Sequence, residues 1–248
     1  MNGLGYPRRG LHGRVVSELG LRIVAGAWPS GAPLPNEDDL AAELGVSRTV
    51  VREAIKVLQA KGLVEVKPRT GTRVRPRRSW HLLDADVVAW QFADMERGED
   101  LRELYEIRAT IETTAARLAA ERRTEAQLSE IDAHQRRIEA AAAEPIALRA
   151  AELDFHDAVV DAAHNSLLSH VGAMIRVALE AAGDPPPPDA NGDEASLRTA
   201  VASAIRAQDP DASEAAMRSL VEMGWRRVVA ENAEDSRRTD DDNRRGTP

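Results

Sequence analysis

The sequence predicts a mainly α-helical protein, in which an N-terminal winged helix-turn-helix domain precedes an all-α helical bundle. Two short amphipathic helix patterns, joined at Gly45, lie upstream of residue 60. A basic segment with two short strand patterns follows them over residues 63–75. From about residue 99 onward the chain is rich in alanine and poor in strand patterns, and its apolar residues recur at helical spacing.

The second of the two short helices, read from Ser47, has an apolar face and a basic face. The apolar positions follow the i, i+3, i+4, i+7 pattern of a buried stripe and are Val51, Ala54, Ile55 and Leu58. The basic positions recur every fourth residue and are Arg48, Arg52 and Lys56, with Thr49 beside them. Ser47 is a favourable N-cap, and an exposed helix N-terminus attracts phosphate. Such a face suits the major groove of DNA.

The residues around this helix decide between DNA binding and a merely solvated basic face. The preceding helix pattern turns three apolar residues inward, namely Leu40, Ala41 and Leu44. Gly45 supplies a tight turn before the basic helix, which completes a helix-turn-helix layout. Two strands are predicted afterwards, over Leu63–Val66 and Thr72–Arg75, and the loop from Lys67 to Gly71 between them is basic. The sequence therefore predicts a recognition helix followed by a basic wing.

The segment LPNEDDLAAELGVSRTVVREAIKVLQAKGLVEVKPRTGTRV closely resembles the winged-helix signature of the GntR family of bacterial transcriptional regulators. The resemblance implies operator contacts from five positions, which are Ser47, Arg48, Thr49, Arg52 and Gly71. The same basic helix face and wing add three candidates, Lys56, Arg69 and Thr72. One departure is Asp38, which stands where some family members carry a phosphate-binding arginine. Its negative charge argues against phosphate contact there.

Charge is divided unevenly along the chain. Residues 1–78 hold 14 Lys and Arg against 7 Asp and Glu, whereas the remainder holds 19 against 34. The basic part is suited to displacing counterions from DNA, and the acidic part would repel a duplex. Cysteine is absent, which excludes thiolate metal sites and fits a reducing compartment. With no signal peptide or long apolar run, we expect a cytoplasmic protein without membrane contact.

The predicted organisation has four parts: residues 1–78 form the DNA-binding domain, 79–98 a linker with a short helix, 99–231 the helical domain, and 232–248 a disordered tail. The linker helix carries Val87, Val88 and Trp90. Six helices are predicted in the helical domain, near 99–122, 124–143, 146–164, 166–182, 194–208 and 211–231. The proline-rich run at 184–193 predicts a loop, and the tail has no residue able to anchor a core.

One arginine interrupts the buried face of the first bundle helix. That face is predicted from Leu104, Ile107, Ile111, Ala115 and Leu118, and Arg108 falls in its centre. Because an unpaired buried charge is costly, Arg108 either pairs with an acid such as Glu112 or faces a cavity for an anionic ligand. A later helix places Glu152 and His156 four residues apart, beside the face of Leu148, Phe155 and Val159. These polar groups indicate a polar pocket inside the bundle.

This region is similar to the all-helical effector-binding domain, termed FCD, of the FadR-like subfamily of GntR regulators. The resemblance rests on ELYEIRATIETTAARLAA, ELDFHDAVVDAAHNSLL and LRTAVASAIRAQDPDASEAAM. Many such domains bind a divalent metal through one aspartate and three histidines. The matching positions here are Glu152, His156, Arg198 and Leu220. Because two ligands are missing, we expect that no metal is bound. The alternative is a metal-responsive regulator of another organic-acid pathway, with zinc or a similar ion on Glu152 and His156, helped by His164 or His170.

The arginines predict the effector's chemistry. Arg108 and Arg198 with His156 are suited to recognising a small carboxylate, although Arg198 is also able to pair with Glu152. Asn165 is either a helix cap or a pocket hydrogen-bond donor. On the hypothesis of a direct contact, Arg198→Ala abolishes the effector response and leaves operator binding intact.

The linker RRSWHLLDADVVAW, the segment AAHNSLL and the absent final histidine resemble the galactonate-operon repressors and their sugar-acid-sensing relatives. The resemblance implies a homodimer that binds an inverted repeat of double-stranded operator DNA and is released by a sugar acid or other small organic acid. Ligand binding is then expected to reorganise the linker between Trp80 and Trp90. An enzyme is not expected, because no nucleophile, phosphate loop or catalytic pair is evident. A purely architectural DNA-binding protein would not need the acidic bundle.

Overall fold

The computed structural model describes residues 10–93, 98–182 and 192–245, with side chains given for all of these except 98–99 and 231–245. The chain divides into two compact units, the first comprising Met1–Arg97 and Val177–Gly183 and the second Gly98–Arg176 and Asp184–Pro248. The helices, in chain order, are α1 (Leu11–Val24), α2 (Glu37–Leu44), α3 (Arg48–Ala60), α4 (Ala85–Phe92), α5 (Gly98–Arg122), α6 (Glu125–Ala140), α7 (Pro145–Ala162), α8 (Ser166–Ala181), α9 (Asp193–Ala207) and α10 (Pro210–Arg245). The strands are β1 (Val64–Lys67) and β2 (Gly71–Val74). The predicted fold class is confirmed.

The first unit begins with α1, a helix that the sequence prediction did not include. Its buried side chains lie on one face and include Val15, Val16, Leu19 and Ile23. These spacings match a helical stripe, so the sequence contained a signal for α1. The helix packs against α3 and supplies much of the apolar core beneath the recognition helix.

The helix-turn-helix has the predicted local structure. Gly45 adopts a left-handed conformation with φ of 64° after α2, where a side chain would be strained. Ser47 caps α3, because its hydroxyl accepts a hydrogen bond from the amide of Val50 at 3.4 Å. All four predicted apolar residues of α3 are buried, namely Val51, Ala54, Ile55 and Leu58. The N-cap and the buried stripe are confirmed.

The wing is an antiparallel pair in which Val64 lies opposite Val74 and Lys67 opposite Gly71. Each strand differs by one residue from its predicted bounds. At the tip of the wing, Arg69 and Gly71 both have positive φ angles. After the wing, a short 3-10 turn at Arg77–Ser79 leads to α4, which is the short helix expected within the linker.

The six helices predicted for the bundle are present as α5 to α10, but one buried face, that of α5, is rotated. Ile107 of α5 is 52% exposed rather than buried, while Arg108 and Glu112 are buried. Burial of these two residues is tolerated because each charge neutralises the other. No helix in the described ranges is long and apolar enough to cross a membrane.

Two predictions concern the chain's irregular segments. The predicted loop at 184–193 lies outside the described residues, except that α9 already begins at Asp193. A disordered tail was predicted over 232–248. In the structure, α10 instead continues as a helix to Arg245. No proline or glycine interrupts the sequence from Trp225 to Arg245, so nothing in this stretch breaks the helical backbone hydrogen bonding.

Candidate functional site

The predicted DNA-contacting residues lie at the surface of the first unit. The exposed ones are Ser47, Arg48, Thr49, Arg52, Lys56, Arg69 and Gly71, and Thr72 is half-buried. Burial of the apolar face of α3 against the core leaves its basic face toward solvent. The helix N-terminus and its arginines are thereby available to a duplex. Their role in operator contact remains a prediction.

Arg48 has acidic neighbours on α2. Its Nε donates to Oε2 of Glu37 at 3.0 Å, and its Nη1 lies 3.3 Å from Oδ2 of Asp38. Lys56 similarly donates to Glu53 at 2.9 Å. Because these pairs face water they are weak, and DNA phosphates are able to replace them. Asp38 therefore lies close to the predicted DNA-contacting surface and interacts with one of its cations.

Among the described residues of the second unit, seven charged or titratable side chains contact one another in two groups in the interior, and we call them the charged cluster. They come from four helices and are Arg108 and Glu112 of α5, Glu152 and His156 of α7, Glu194 and Arg198 of α9, and Arg227 of α10. The three glutamates balance the three arginines in formal charge. Arg108, Glu152 and His156, which the sequence predicted to border a polar pocket, belong to this cluster, and the pocket itself stays a prediction.

One half of the charged cluster is organised around Glu112. Nε of Arg108 donates to Oε1 of Glu112 at 2.6 Å, and Nδ1 of His156 lies 2.6 Å from Oε2. The second contact is poorly aligned for a hydrogen bond, so we treat it as an electrostatic contact. Burial by itself would raise the pKa of Glu112, but Arg108 and His156 outweigh this and lower it to about 2. Glu112 is therefore a carboxylate, and such a short separation requires the proton of His156 on Nδ1.

Arg108 and His156 each retain hydrogen-bonding capacity. Within the part of the chain that the structure describes, Nη1 and Nη2 of Arg108 and Nε2 of His156 have no hydrogen-bond partner. The Arg108 guanidinium lies 5.4 Å from the centre of the Tyr105 ring. On the side of α10, Gly224 lies close by, since a Cβ built there would be 3.6 Å from the Tyr105 ring and 4.0 Å from Nη1 of Arg108, which are ordinary contact distances. A buried guanidinium with two unused donors is suited to binding an anion.

The other half of the charged cluster is organised around Arg198, of which only 1% is exposed. Its Nη1 donates to Oε1 of Glu152 at 2.7 Å and lies 3.8 Å from Glu194. Arg227 makes a close ion pair with Glu194 and lies 4.0 Å from Glu152. These contacts connect α7, α9 and α10. Arg198 therefore already has internal anionic partners, unlike the outer nitrogens of Arg108.

The residues at the positions expected for a metal do not fit a metal. Arg198 brings a cation to the carboxylate of Glu152, and Leu220 contributes a buried hydrocarbon side chain. Over the described residues there is no group of three or more His, Cys, Asp or Glu arranged to hold an ion. His164 and His170 are exposed, and Nε2 of His164 lies 2.9 Å from Oε1 of Gln127.

Asn165 has a capping contact. Its Oδ1 accepts hydrogen bonds from the amides of Leu167 and Leu168 at 3.1 and 3.3 Å. These amides belong to the first turn of α8, so the structure shows the capping alternative. The sequence prediction also omitted Glu194 and Arg227 from the cluster. Glu194 was recognisable from its i, i+4 spacing to Arg198, whereas nothing in the sequence marked Arg227 as a partner.

A winged helix with an exposed basic recognition helix, followed by an all-helical domain, defines a class of DNA-binding transcriptional regulator. The chain belongs to the GntR family. Residues 11–74 match the family model described as bacterial regulatory proteins, gntR family, and residues 103–223 match the FCD domain. The family consists of regulators rather than enzymes, as the sequence predicted.

Two curated relatives extend over most of the chain. It is 33% identical to the galactonate operon transcriptional repressor of Escherichia coli, over 87% of this chain and 95% of that protein. It is also 33% identical to a probable D-xylose utilization operon transcriptional repressor of Paenarthrobacter nicotinovorans, over 79% of each chain. The solved structure of Lar from Listeria monocytogenes superposes with a TM-score of 0.56 over 90% of this chain and 98% of Lar, at 18% identity, and so supports the fold. The predicted resemblance to galactonate-operon repressors is confirmed.

Proposed function

We propose that the protein is a dimeric repressor of a sugar-acid catabolic operon in a bacterial cytoplasm, released from DNA by a small hydroxylated carboxylate. One winged helix reads few base pairs, so a symmetric dimer on an inverted repeat supplies the affinity and specificity that an operator requires. Support for the effector class comes from the galactonate repressor, which aligns with 87% of this chain. The observation that carries the proposal is the pair of unused donors on Arg108.

Arg108 is the proposed anchor for the effector's carboxylate. Its two outer nitrogens are spaced to donate a bidentate pair of hydrogen bonds to two carboxylate oxygens. The Nε contact with Glu112 fixes the plane of the guanidinium before a ligand arrives. Arg108 is only 8% exposed, so less water competes for its donors than at a surface arginine. A preorganised arginine of this kind also loses little side-chain entropy on binding.

His156 is the proposed partner for a hydroxyl group of the effector. With Nδ1 facing Glu112, the imidazole of His156 leaves Nε2 for a ligand. A hydroxyl group on the ligand is able to form a hydrogen bond with that nitrogen, whereas the hydrocarbon chain of an unsubstituted fatty acid is not. The same two residues therefore favour a hydroxy acid over a simple carboxylate of equal length.

We propose that the ion pair of Arg198 and Glu152 stabilises the packing of the helices around this site. Their ion pair connects α7 to α9, where other family members are expected from the resemblance to hold a metal. A fixed internal cation makes a metal unnecessary for joining these helices. We propose that the protein responds to its effector without a bound metal, which distinguishes it from a metal-responsive regulator.

The test is ligand-induced stabilisation of the full chain, measured as a thermal midpoint against D-galactonate, other aldonates, hexanoate and zinc chloride. Operator DNA is first selected from a random duplex library with the same protein. We expect aldonates to raise the midpoint and to weaken operator binding, and hexanoate to do neither. A midpoint that responds to zinc alone would contradict the proposal.

Arg108→Met removes the donors and keeps most of the side-chain length. It should lose the aldonate shift and retain operator binding, while Arg102→Met, on the exposed side of the same helix, should behave as wild type. Arg108→Lys keeps the charge without the bidentate geometry and should lose most of the shift. An undiminished aldonate shift in either Arg108 variant would exclude this arginine as the anchor.

A further inference from the structure

Lys61, at the carboxyl end of the recognition helix α3, contacts the start of α4. Its Nζ donates to Oδ1 and Oδ2 of Asp84 at 2.7 and 2.8 Å and lies 2.8 Å from Oδ2 of Asp86. Lys61 is 8% exposed and Asp86 is 3% exposed. Buried charges of this kind are retained only when they are paired, and separating them is strongly unfavourable. We call these three residues the lysine clamp.

Asp84 in the lysine clamp has a second role. Besides contacting Lys61, its carboxylate accepts hydrogen bonds from the amides of Asp86 and Val87 and so caps α4. The residue that starts α4 is therefore the residue that binds the end of α3. Burial by itself would lower the pKa of Lys61, but the two aspartates outweigh it and raise that pKa. Lys61 is charged throughout the neutral range.

The backbone between the wing and α4 is also held against the end of α3. The amide of His81 donates to the carbonyl of Lys61 at 3.0 Å, and Nε1 of Trp80 donates to the carbonyl of Arg75 at 3.0 Å. Gly62 has a φ of 80°, and a Cβ built on it would lie 2.3 Å from the carbonyl oxygen of Ser79. Only glycine permits this approach.

The far end of α4 is packed against α1. The ring of Trp90 lies 2.6 Å from the position that a Cβ on Gly20 would occupy. Val87 and Trp90 are both buried in the same apolar core as the recognition helix. Contacts at both ends of α4 therefore attach it to α1 and α3.

We propose that Lys61 is a positioning residue that makes α4 part of the DNA-binding body, so that α4 and the recognition helix move as one unit. This differs from the expectation that the linker reorganises between Trp80 and Trp90. Allosteric ligands usually change affinity by about 5- to 150-fold. Separating a buried lysine from two aspartates is more unfavourable than such a change supplies. The effector part of this inference rests on the proposed function.

The lysine clamp itself is tested by hydrogen exchange on the full chain, without any effector. In the wild type, the amides of α4 should exchange as slowly as those of α1 and α3. Lys61→Met keeps the aliphatic stem and removes the charge, and we expect α4 to exchange at least about tenfold faster with a smaller change in α3. Lys61→Arg should restore much of the protection. Arg22→Met, which removes exposed ion pairs of α1 in the same unit, is the control.

Rapid exchange of α4 in the wild type, or unchanged protection in Lys61→Met, would overturn the inference. Operator affinity and its loss with D-galactonate are then measured on the same variants. We expect Lys61→Met to bind operator within about threefold of wild type, with the galactonate effect reduced at least fivefold. The inference would also be overturned if Lys61→Met showed faster hydrogen exchange in α4 and still lost operator affinity with D-galactonate as the wild type does. If wild type ignores aldonates, the proposed function fails, whereas the exchange result still decides whether α4 belongs to the DNA-binding body.

Discussion

Arg198 and Glu152 form a hydrogen-bonded ion pair of 2.7 Å in the interior of the helical domain, between α9 and α7. Arg198 occupies a position at which the sequence resemblance implies a metal-binding histidine, and Glu152 occupies that of a metal-binding carboxylate. The pair thus keeps a cation beside a carboxylate with no need for an ion from solution. Glu194 and Arg227 continue the arrangement to α10.

Arg198→Leu should destabilise the helical domain by about 3–5 kcal/mol, because it leaves the largely buried carboxylate of Glu152 without its hydrogen-bonded cation. Urea denaturation of the full chain measures the change. Arg206→Leu, on an exposed part of the same helix, should cost less than about 1 kcal/mol. Adding Glu152→Gln to Arg198→Leu should recover part of the loss, as a double-mutant cycle would show. A loss no larger than that of Arg206→Leu would mean that Arg198 does not stabilise the interior.

Acid stability should depend on Glu112. Its pKa is about 2 in the folded protein against an ordinary value of 4.5, so the carboxylate stabilises the fold above about pH 4.5. That contribution is lost progressively as the pH falls toward 2, because the unfolded chain takes up the proton first. Glu112→Gln should therefore lower stability at pH 7 and flatten the decline between pH 5 and 2. Glu106→Gln, exposed on the same helix, should leave the profile unchanged.

Hydrophobic periodicity and turn residues were enough to predict the fold class. They predicted the charged residues of the interior only in part. Arg108 was identifiable because it interrupts an apolar stripe, and Glu112 lies one turn away on the same helix. Arg227 and Glu194 come from different helices, so their pairing depends on tertiary packing that spacing along one helix does not reveal. Ile107 was predicted buried and is exposed, because the sequence pattern allowed either Ile107 or the Arg108–Glu112 pair to occupy the interior and only tertiary packing decides between them.

Asp38→Asn should tighten binding to random-sequence duplex DNA several-fold. The carboxylate lies 3.3 Å from Arg48 and close to where phosphates would bind, so its removal frees the arginine and reduces repulsion. The slope of log affinity against log salt should become steeper by up to about one unit. Anisotropy titrations at several salt concentrations measure both effects. Asp132→Asn, in the helical domain, is the control, and equal affinities for the two variants would exclude a role for Asp38.

Removal of divalent metal should leave stability and operator binding unchanged. Arg198 and Leu220 cannot serve as ligands, and Glu152 is engaged by Arg198. The expected result is the same thermal midpoint before and after dialysis against a chelator, and after addition of zinc. A midpoint that falls on chelation and returns with stoichiometric zinc would show that Glu152 and His156 bind metal with help from other residues.

Gly20→Ala should destabilise the first unit, although alanine is the better helix former by about 1 kcal/mol. The new Cβ would lie 2.6 Å from the ring of Trp90, and overpacking of this kind costs about 1–3 kcal/mol. In a chain carrying Trp90→Leu the ring is absent, so the same Gly20→Ala change should become stabilising. Urea denaturation of the four chains measures the sign in each background. If Gly20→Ala still lowers the free energy of unfolding in the Trp90→Leu chain, the contact between α1 and α4 does not require glycine at this position.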